Sequence, residues 1–246
     1  MSLILLHPPL TRTRWNSPGG GGGGGGGGAS GNLANVDFED GTFGVMSSVV
    51  SVVSGTGVSV VATSPFAGTK CCDLTAPSAS TDQGVRLDYS TGVGRNEWWI
   101  TYALYWVTRP LDTFPGTQKF TIFRNDGGSP NQFGEMNVIN NNWIWNWLFT
   151  DAGAGNITLG ELGTVASYVG VWNRLKLHYK FLGAGLGTTI TFGKNGVDAL
   201  RTIHTTQDQA GVPSRLTVGG TLNANSGASH FRLDNIHIGT ADPGWD

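Results

Sequence analysis

From residue 35 onward the chain breaks into short apolar runs separated by clusters of Gly, Asn, Asp and Pro, and no window keeps a helical period. That pattern points to an all-β architecture. The clearest run is 172–181, where Leu175, Leu177, Tyr179 and Phe181 alternate with Arg174, Lys176, His178 and Lys180. Successive side chains of a strand point to opposite faces, so this spacing predicts a half-buried strand with a basic, solvent-side face. Residues 98–107 are apolar on both faces, with Ile100, Tyr102, Leu104 and Trp106 alternating against Trp99, Ala103, Tyr105 and Val107. Such a strand belongs in the middle of a sheet covered on both sides. Further candidate strands are 49–53, 58–62, 70–74, 84–88, 119–125, 133–139, 142–149, 188–194, 198–203, 214–218 and 230–238. Asn195 and Gly196 form a strong hairpin signal between two of them. About a dozen strands at this spacing imply two packed antiparallel sheets.

The part before residue 35 is of another kind. Residues 1–18 carry Pro8, Pro9 and Pro18, an apolar Leu3, Ile4, Leu5, Leu6 patch and Trp15, and residues 19–28 are ten consecutive glycines. Glycines have no side chain to bury and lose the most backbone entropy on ordering. In isolation such a segment is a flexible tether spanning roughly 17 Å. The expected organisation is an extended arm over 1–34 and one β-sandwich domain over 35–246.

Charge separates the two parts as well. Residues 1–36 hold Arg12 and Arg14 and no acid, leaving 13 basic against 17 acidic side chains in the remainder, a balance of −4. A net charge of −2 argues against nucleic acid as the partner of the folded body. Charged residues make up 13%, against roughly 25% in ordinary globular chains. Polarity therefore comes mostly from Ser, Thr, Asn and Gly, which suits an extracellular or particle-surface β protein. Cys71 and Cys72 are adjacent, a spacing at which a mutual disulfide is strained, so free buried thiols and assembly in a reducing cytoplasm are expected. The first residues lack the basic region and the apolar length of a signal peptide, and no stretch approaches the ~20 apolar residues of a membrane-spanning helix.

Two ends of the body resemble a known group. It opens with Val36, Asp37, Phe38, Glu39, Asp40 and Gly41 and closes with Asp234, Asn235, Ile236, His237, Ile238 and Gly239. An FE-D-G first strand with a DN-I-x-I-G last strand is similar to concanavalin A-like lectin/glucanase jelly rolls. Trp172 to Lys176 (W-x-x-L-K) and the Asn195–Gly196 hairpin resemble the same superfamily. The resemblance implies a two-sheet antiparallel jelly-roll sandwich. It leaves function open, since the superfamily includes lectins, polysaccharide lyases, glycoside hydrolases and non-catalytic domains of phage particles. A Pro-bearing arm, a glycine run and a lectin-like sandwich together resemble bacteriophage virion surface proteins.

Catalytic signals are sparse. Glycoside hydrolysis needs two carboxylates about 5–10 Å apart. The E-x-D-x-x-E cluster of the superfamily's hydrolases is absent, and Glu97, Glu135 and Glu161 each stand alone. β-Elimination needs a base, an acid and a cation that neutralises the uronate carboxylate. His178, Arg174 and Lys176, joined across a sheet by Arg124 or Arg86, are the best candidates for a basic lyase-like surface. The alginate-lyase motifs R-x-x-x-R-E and Q-I-H are missing. By analogy with relatives, in which the two ends of the body lie on neighbouring strands, Asp37, Glu39 and Asp234 could ligate a structural calcium ion. No other cofactor is indicated. Trp143, Trp145 and Trp147 alternate along one strand and so share one face, as a sugar-stacking platform or as core.

The function expected from these features is that of a non-enzymatic virion structural protein, a capsid decoration or tail-associated homo-oligomer on the virion surface, assembled in the host cytoplasm. Leu3, Ile4, Leu5, Leu6, Arg12, Arg14 and Trp15 would anchor it to other virion proteins, and its lectin-like domain would face host glycans. The alternatives are a lyase acting on anionic glycans and a soluble carbohydrate-binding lectin.

Overall fold

A computed structural model describes residues 31–50, 54–78, 83–108, 118–124, 132–139, 142–149, 153–158, 169–183, 186–203, 212–222 and 227–245. Their regular elements are all strands: β1 Asn32–Val36, β2 Ser47–Val50, β3 Gly57–Val61, β4 Cys71–Ala76, β5 Gln83–Ser90, β6 Glu97–Thr108, β7 Gln118–Arg124, β8 Gln132–Ile139, β9 Asn142–Phe149, β10 Gly153–Thr158, β11 Trp172–Gly183, β12 Gly187–Lys194, β13 Val197–Ile203, β14 Arg215–Leu222 and β15 Ser229–Gly239. The first sheet runs β13-β12-β11-β6-β15-β4-β3, with β1 also paired to β15. The second runs β10-β9-β8-β7-β14-β5-β2. All of these strand pairings are antiparallel, and the two sheets form a jelly-roll sandwich.

The alternation read from the sequence explains the core. On β6, Trp98, Ile100, Tyr102, Leu104 and Trp106 are all essentially inaccessible, and Leu175, Leu177 and Tyr179 of β11 join them. The second sheet answers with Val85, Leu87, Phe123, Met136, Leu216 and Val218. Phe123 links the layers, stacked on Tyr179 at 4.7 Å and edge-on to Trp98 at 6.4 Å. The hydroxyls of Tyr102 and Thr121 meet at 3.2 Å between the sheets, so neither is left unsatisfied in an apolar interior.

The ends of the body differ from the expected form. β1 starts at Asn32 and pairs along β15, so residues 32–34, expected to precede the sandwich, are part of it. The FE-D-G motif is not a strand but the turn that follows β1. Phe38 adopts φ +62° there, with its ring buried, and Asp37 Oδ1 accepts the Glu39 N–H at 3.2 Å. The asparagine of the expected hairpin, Asn195, likewise sits at φ +49° with Gly196 at +91°, joining β12 to β13 as a two-residue turn requires.

Candidate functional site

The two outer faces of the sandwich are unlike each other. That of the first sheet is partly covered. The segment 62–70 folds over β4 and β15, with Phe66 and Ala67 N–H groups donating to Asp234 at 2.9 and 3.1 Å. The segment 240–245 crosses β11, where Arg174 donates to the Trp245 carbonyl and Lys176 pairs with Asp242 at 3.4 Å.

The sequence placed Arg174, Lys176 and His178 on a solvent face with Arg124 and Arg86. The structure separates them. The first three lie on β11 in the first sheet, whereas Arg124 on β7 and Arg86 on β5 lie in the second, so they cannot line one surface. Lys176 is not solvated either. It is 2% exposed, held by Asp198 at 2.8 Å and by Asp242, with the rings of Trp245 and Trp99 at 4.9 and 5.6 Å. Gly193 makes room for this cover, because a Cβ there would run into the Trp245 ring and the Asp198 carboxylate. His178 pairs with Glu97 at 2.8 Å, so Glu97 does not stand alone as its sequence context suggested. Burial pushes the His178 imidazole below its usual range, against the pull of Glu97. Burial works against Glu97 too, but its bond to His178 and the charge of Lys180 hold the carboxyl below the ordinary range.

The residues expected to ligate calcium are otherwise occupied. Glu39 accepts N–H groups from Thr69 and Lys70 at 2.8 and 3.0 Å and the Thr69 hydroxyl at 2.7 Å, bonds that lower its pKa. Asp234 takes Phe66, Ala67 and Asn235 N–H groups, and burial pushes its carboxyl up to about 6. Both therefore fasten the 66–70 loop, Glu39 to the turn that follows β1 and Asp234 to the last strand. With Asp37 tied into its own turn, the three do not fit the ion as arranged, and among the described residues no three His, Cys, Asp or Glu groups converge.

The arm residues Leu3, Ile4, Leu5, Leu6, Arg12, Arg14 and Trp15 lie outside the described residues, as do the side chains of Arg124, Trp143, Trp145 and Trp147. The register of β9 puts Trp143, Trp145 and Trp147 opposite Val138, Met136 and Gly134, positions on the side of the sheet that the buried Met136 shares.

The outer face of the second sheet holds a groove of about 480 Å³ lined by Val45, Ser47, Val49, Arg86, Asp88, Ser90 and Arg215. Arg86, Asp88 and Ser90 face outward because Val85 and Leu87 of the same strand fill the core, and Arg215 and Thr217 alternate with Leu216 and Val218 in the same way. β5 and β14 are neighbours, with Asp88 opposite Thr217 and Arg215 opposite Ser90. Thr217 donates its hydroxyl to Asp88 Oδ1 at 2.9 Å; Arg86 Nε reaches the same oxygen at 3.3 Å and Arg215 Nη1 reaches Oδ2 at 3.8 Å. Asp88 and Arg86 are mostly covered, with 11% and 18% of their side chains exposed, and Arg215 at 36% opens to solvent. Arg124 is the Cα partner of Arg215 on its other side. The lining thus gathers two guanidinium groups on one carboxylate. Such an arrangement can hold a further carboxylate or sulfate by paired N–H donors, because two N–H groups of a guanidinium fork match the spacing of two oxygens on one oxyanion. Arg215, Asp88 and Thr217 were missed in the sequence reading, although their polar–apolar alternation was visible.

A lyase from the fungus Trichoderma reesei, endo-β-1,4-glucuronan lyase, shares this architecture with a TM-score of 0.66, over 85% of this chain and 96% of the other. The fold is a concanavalin A-like jelly roll. Sequence identity over that match is 17%. The cellulose-induced protein Cip1 follows the same jelly roll with a TM-score of 0.60 at 13% identity, over 86% of this chain and 99% of the other. A conserved carbohydrate esterase of the Shiga toxin-encoding bacteriophage phi24B does so with 0.54 at 15% identity, over 86% and 99%. No protein-family model and no curated protein sequence matches the chain.

Proposed function

We propose that this jelly roll is a non-catalytic glycan-recognition protein of a virion surface, binding acidic sugars in the groove of the second sheet. The observation that carries the reading is the lining, in which Arg86 and Arg215 converge on Asp88 in a partly covered cleft. The described lining offers a single carboxylate, already engaged by two guanidinium groups and Thr217, which suits it to positioning cations rather than to moving protons. Jelly rolls of this shape include one named for glucuronan cleavage and a phage carbohydrate esterase, which supports a glycan ligand and a phage setting. The arm over 1–34 would fasten the sandwich to other virion proteins through Leu3, Ile4, Leu5, Leu6 and Trp15, with Arg12 and Arg14 meeting acids.

Affinity electrophoresis in gels holding glucuronan, alginate, heparin or neutral β-glucan tests the groove. Retardation by at least one acidic polymer, reduced tenfold or more in Arg86→Ala and Arg215→Ala, is expected; no retardation by any acidic polymer overturns the reading. Deleting residues 1–18 should leave a folded sandwich that no longer joins particles. Likeness to a glucuronan lyase favours lyase activity as the second reading. New ultraviolet absorbance from unsaturated uronates, on mixing the protein with the same acidic polymers, would establish it in place of the first.

A further inference from the structure

The outer face of the first sheet carries an aromatic cluster, apart from the groove, where the 62–70 segment meets β11 and β6. Trp172 of β11 stands opposite Tyr105 of β6, with ring centroids 5.4 Å apart and planes at 50°. Phe66 meets Trp172 edge-on at 5.7 Å. Trp172 Nε1 donates to the Ser64 carbonyl at 3.1 Å, which fixes the turn of the indole and uses up its one donor. All three rings retain solvent access, Phe66 at 36%. A polar group borders them. The Arg232 guanidinium lies 5.7 Å from the Tyr105 ring centre, and Arg232 Nε and His230 Nε2 meet Asp73 Oδ1 at 2.9 and 2.8 Å.

We infer that this platform is a second carbohydrate site, for a neutral pyranose, on the opposite side of the sandwich from the groove. A pyranose presents a C–H face that packs on an aromatic plane and a rim of hydroxyls that both donate and accept. Ligand sites of this kind combine apolar surface with a few placed polar groups. The platform supplies both parts, with rings locked by mutual contact and by the Ser64 bond, and with the acceptor Asp73 beside the donors Arg232 and His230. Its charge distinguishes it from the groove. In the polar border the Arg232 guanidinium is paired with the Asp73 carboxylate, whereas the groove lining sets two guanidinium groups on one carboxylate. The two faces therefore sort sugars by charge, neutral rings on the first sheet and acidic ones on the second.

Cellohexaose, xylohexaose and mannohexaose, with a glucuronan hexamer as the charged comparator, are the probes, read by calorimetry and by tryptophan fluorescence. Binding of at least one neutral hexamer is expected, weakened tenfold or more in Trp172→Ala and in Asp73→Asn and unchanged in Arg215→Ala. Asp73→Asn keeps the ring packing, so the result does not depend on Trp172→Ala folding. The inference is overturned if none of the three neutral hexamers binds, if binding survives both substitutions, or if Arg215→Ala abolishes it. Self-association that Trp172→Ala dissolves, without sugar binding, overturns it in favour of a second copy of the chain as the occupant. Loss of glucuronan binding in Arg215→Ala alone reports on the groove and is read separately.

Discussion

The imidazole of His178 lies flat on the indole of Trp99, with ring centroids 3.8 Å apart and planes 8° from parallel. The stack is possible because the two are register partners on adjacent strands of the first sheet and share its outer face. Glu97 of β6 holds the imidazole edge at 2.8 Å, and Glu97 also meets Lys180 at 3.4 Å.

That environment makes stability depend on pH. Burial lowers the His178 pKa in the folded state despite Glu97, so between that lowered value and the ordinary histidine value the unfolded chain binds more protons. Stability is therefore lost as pH falls through the ordinary histidine range, and the loss is complete once His178 itself protonates. Asp234 works in the opposite sense. Its folded pKa of about 6 lies above the ordinary carboxyl value, so acidification through that range favours the folded state. The two are separated by subtraction: urea midpoints at pH 7.5 and 5.5 should fall less for His178→Gln than for the wild type. Equal falls would show that the imidazole titrates as it does in the unfolded chain.

The adjacent cysteines should be inert in the folded protein. Both are inaccessible, and Cys71 Sγ lies 3.5 Å from the Thr63 carbonyl as a donor. Burial pushes the Cys71 thiol up to about 11 and that of Cys72 well above its usual range. Thiolate is the reactive species, so alkylation by iodoacetamide at pH 7.5 should be on the order of a hundredfold slower than in urea. Mass spectrometry of the native protein should find neither thiol modified within minutes; rapid labelling of Cys71 would mean that the 62–70 segment opens.

Strands were legible where apolar residues alternate, as on β11, because one buried face imposes that period, and where a continuous apolar run marks a central strand, as on β6. β1, Asn-Leu-Ala-Asn-Val, and β10, Gly-Ala-Gly-Asn-Ile-Thr, escaped because they are short and Gly- or Asn-rich, and they take strand form through pairing with β15 and β9. The site was less legible for a related reason. Alternation says which residues share a face of one strand, but not which sheet the strand joins. Arg86 was therefore grouped with His178, from which a whole sandwich separates it, whereas its real companion Arg215 is 129 residues further along the chain. The burial of Lys176 was hidden similarly, since its cover comes from Asp242 and Trp245.

Lys176 also gives a prediction that separates charge from packing. Its ammonium is held by Asp198 and Asp242 between two indoles. Removing one member of a buried pair strands its partners, at a cost of roughly 3–5 kcal/mol for a fully buried case. Asp198 and Asp242 are 39% and 46% exposed, so water takes up part of that cost here. Lys176→Ala should thus lose about 2–3 kcal/mol in urea denaturation, and Lys176→Met, which restores contact with both rings, less than half as much. Equal losses would assign the contribution to the ion pairs alone.

The strand pair that carries Arg86 and Arg215 depends on one glycine, whose missing Cβ would point toward the core residue Leu74. Gly219 stands opposite Arg86 at φ +119°, where β14 carries a register shift between Val218 and Thr221 against β7. A Cβ there would sit 2.8 Å from both the Arg86 Cα and the Val85 carbonyl, backbone atoms of β5 that cannot move without parting the strands. The conformation is also one that side-chain-bearing residues rarely adopt. Gly219→Ala should then cost about 1–3 kcal/mol of stability. Because the strain falls between the strands carrying Arg86 and Arg215, it should weaken binding of acidic polysaccharide even at temperatures where the variant remains folded. The neutral-sugar platform, on the other sheet, should be untouched at those temperatures. Paired measurements of glucuronan and neutral-hexamer binding on this variant decide the matter: parallel loss of both would indicate general unfolding, and loss of the acidic ligand alone would locate its recognition at the β5–β14 seam.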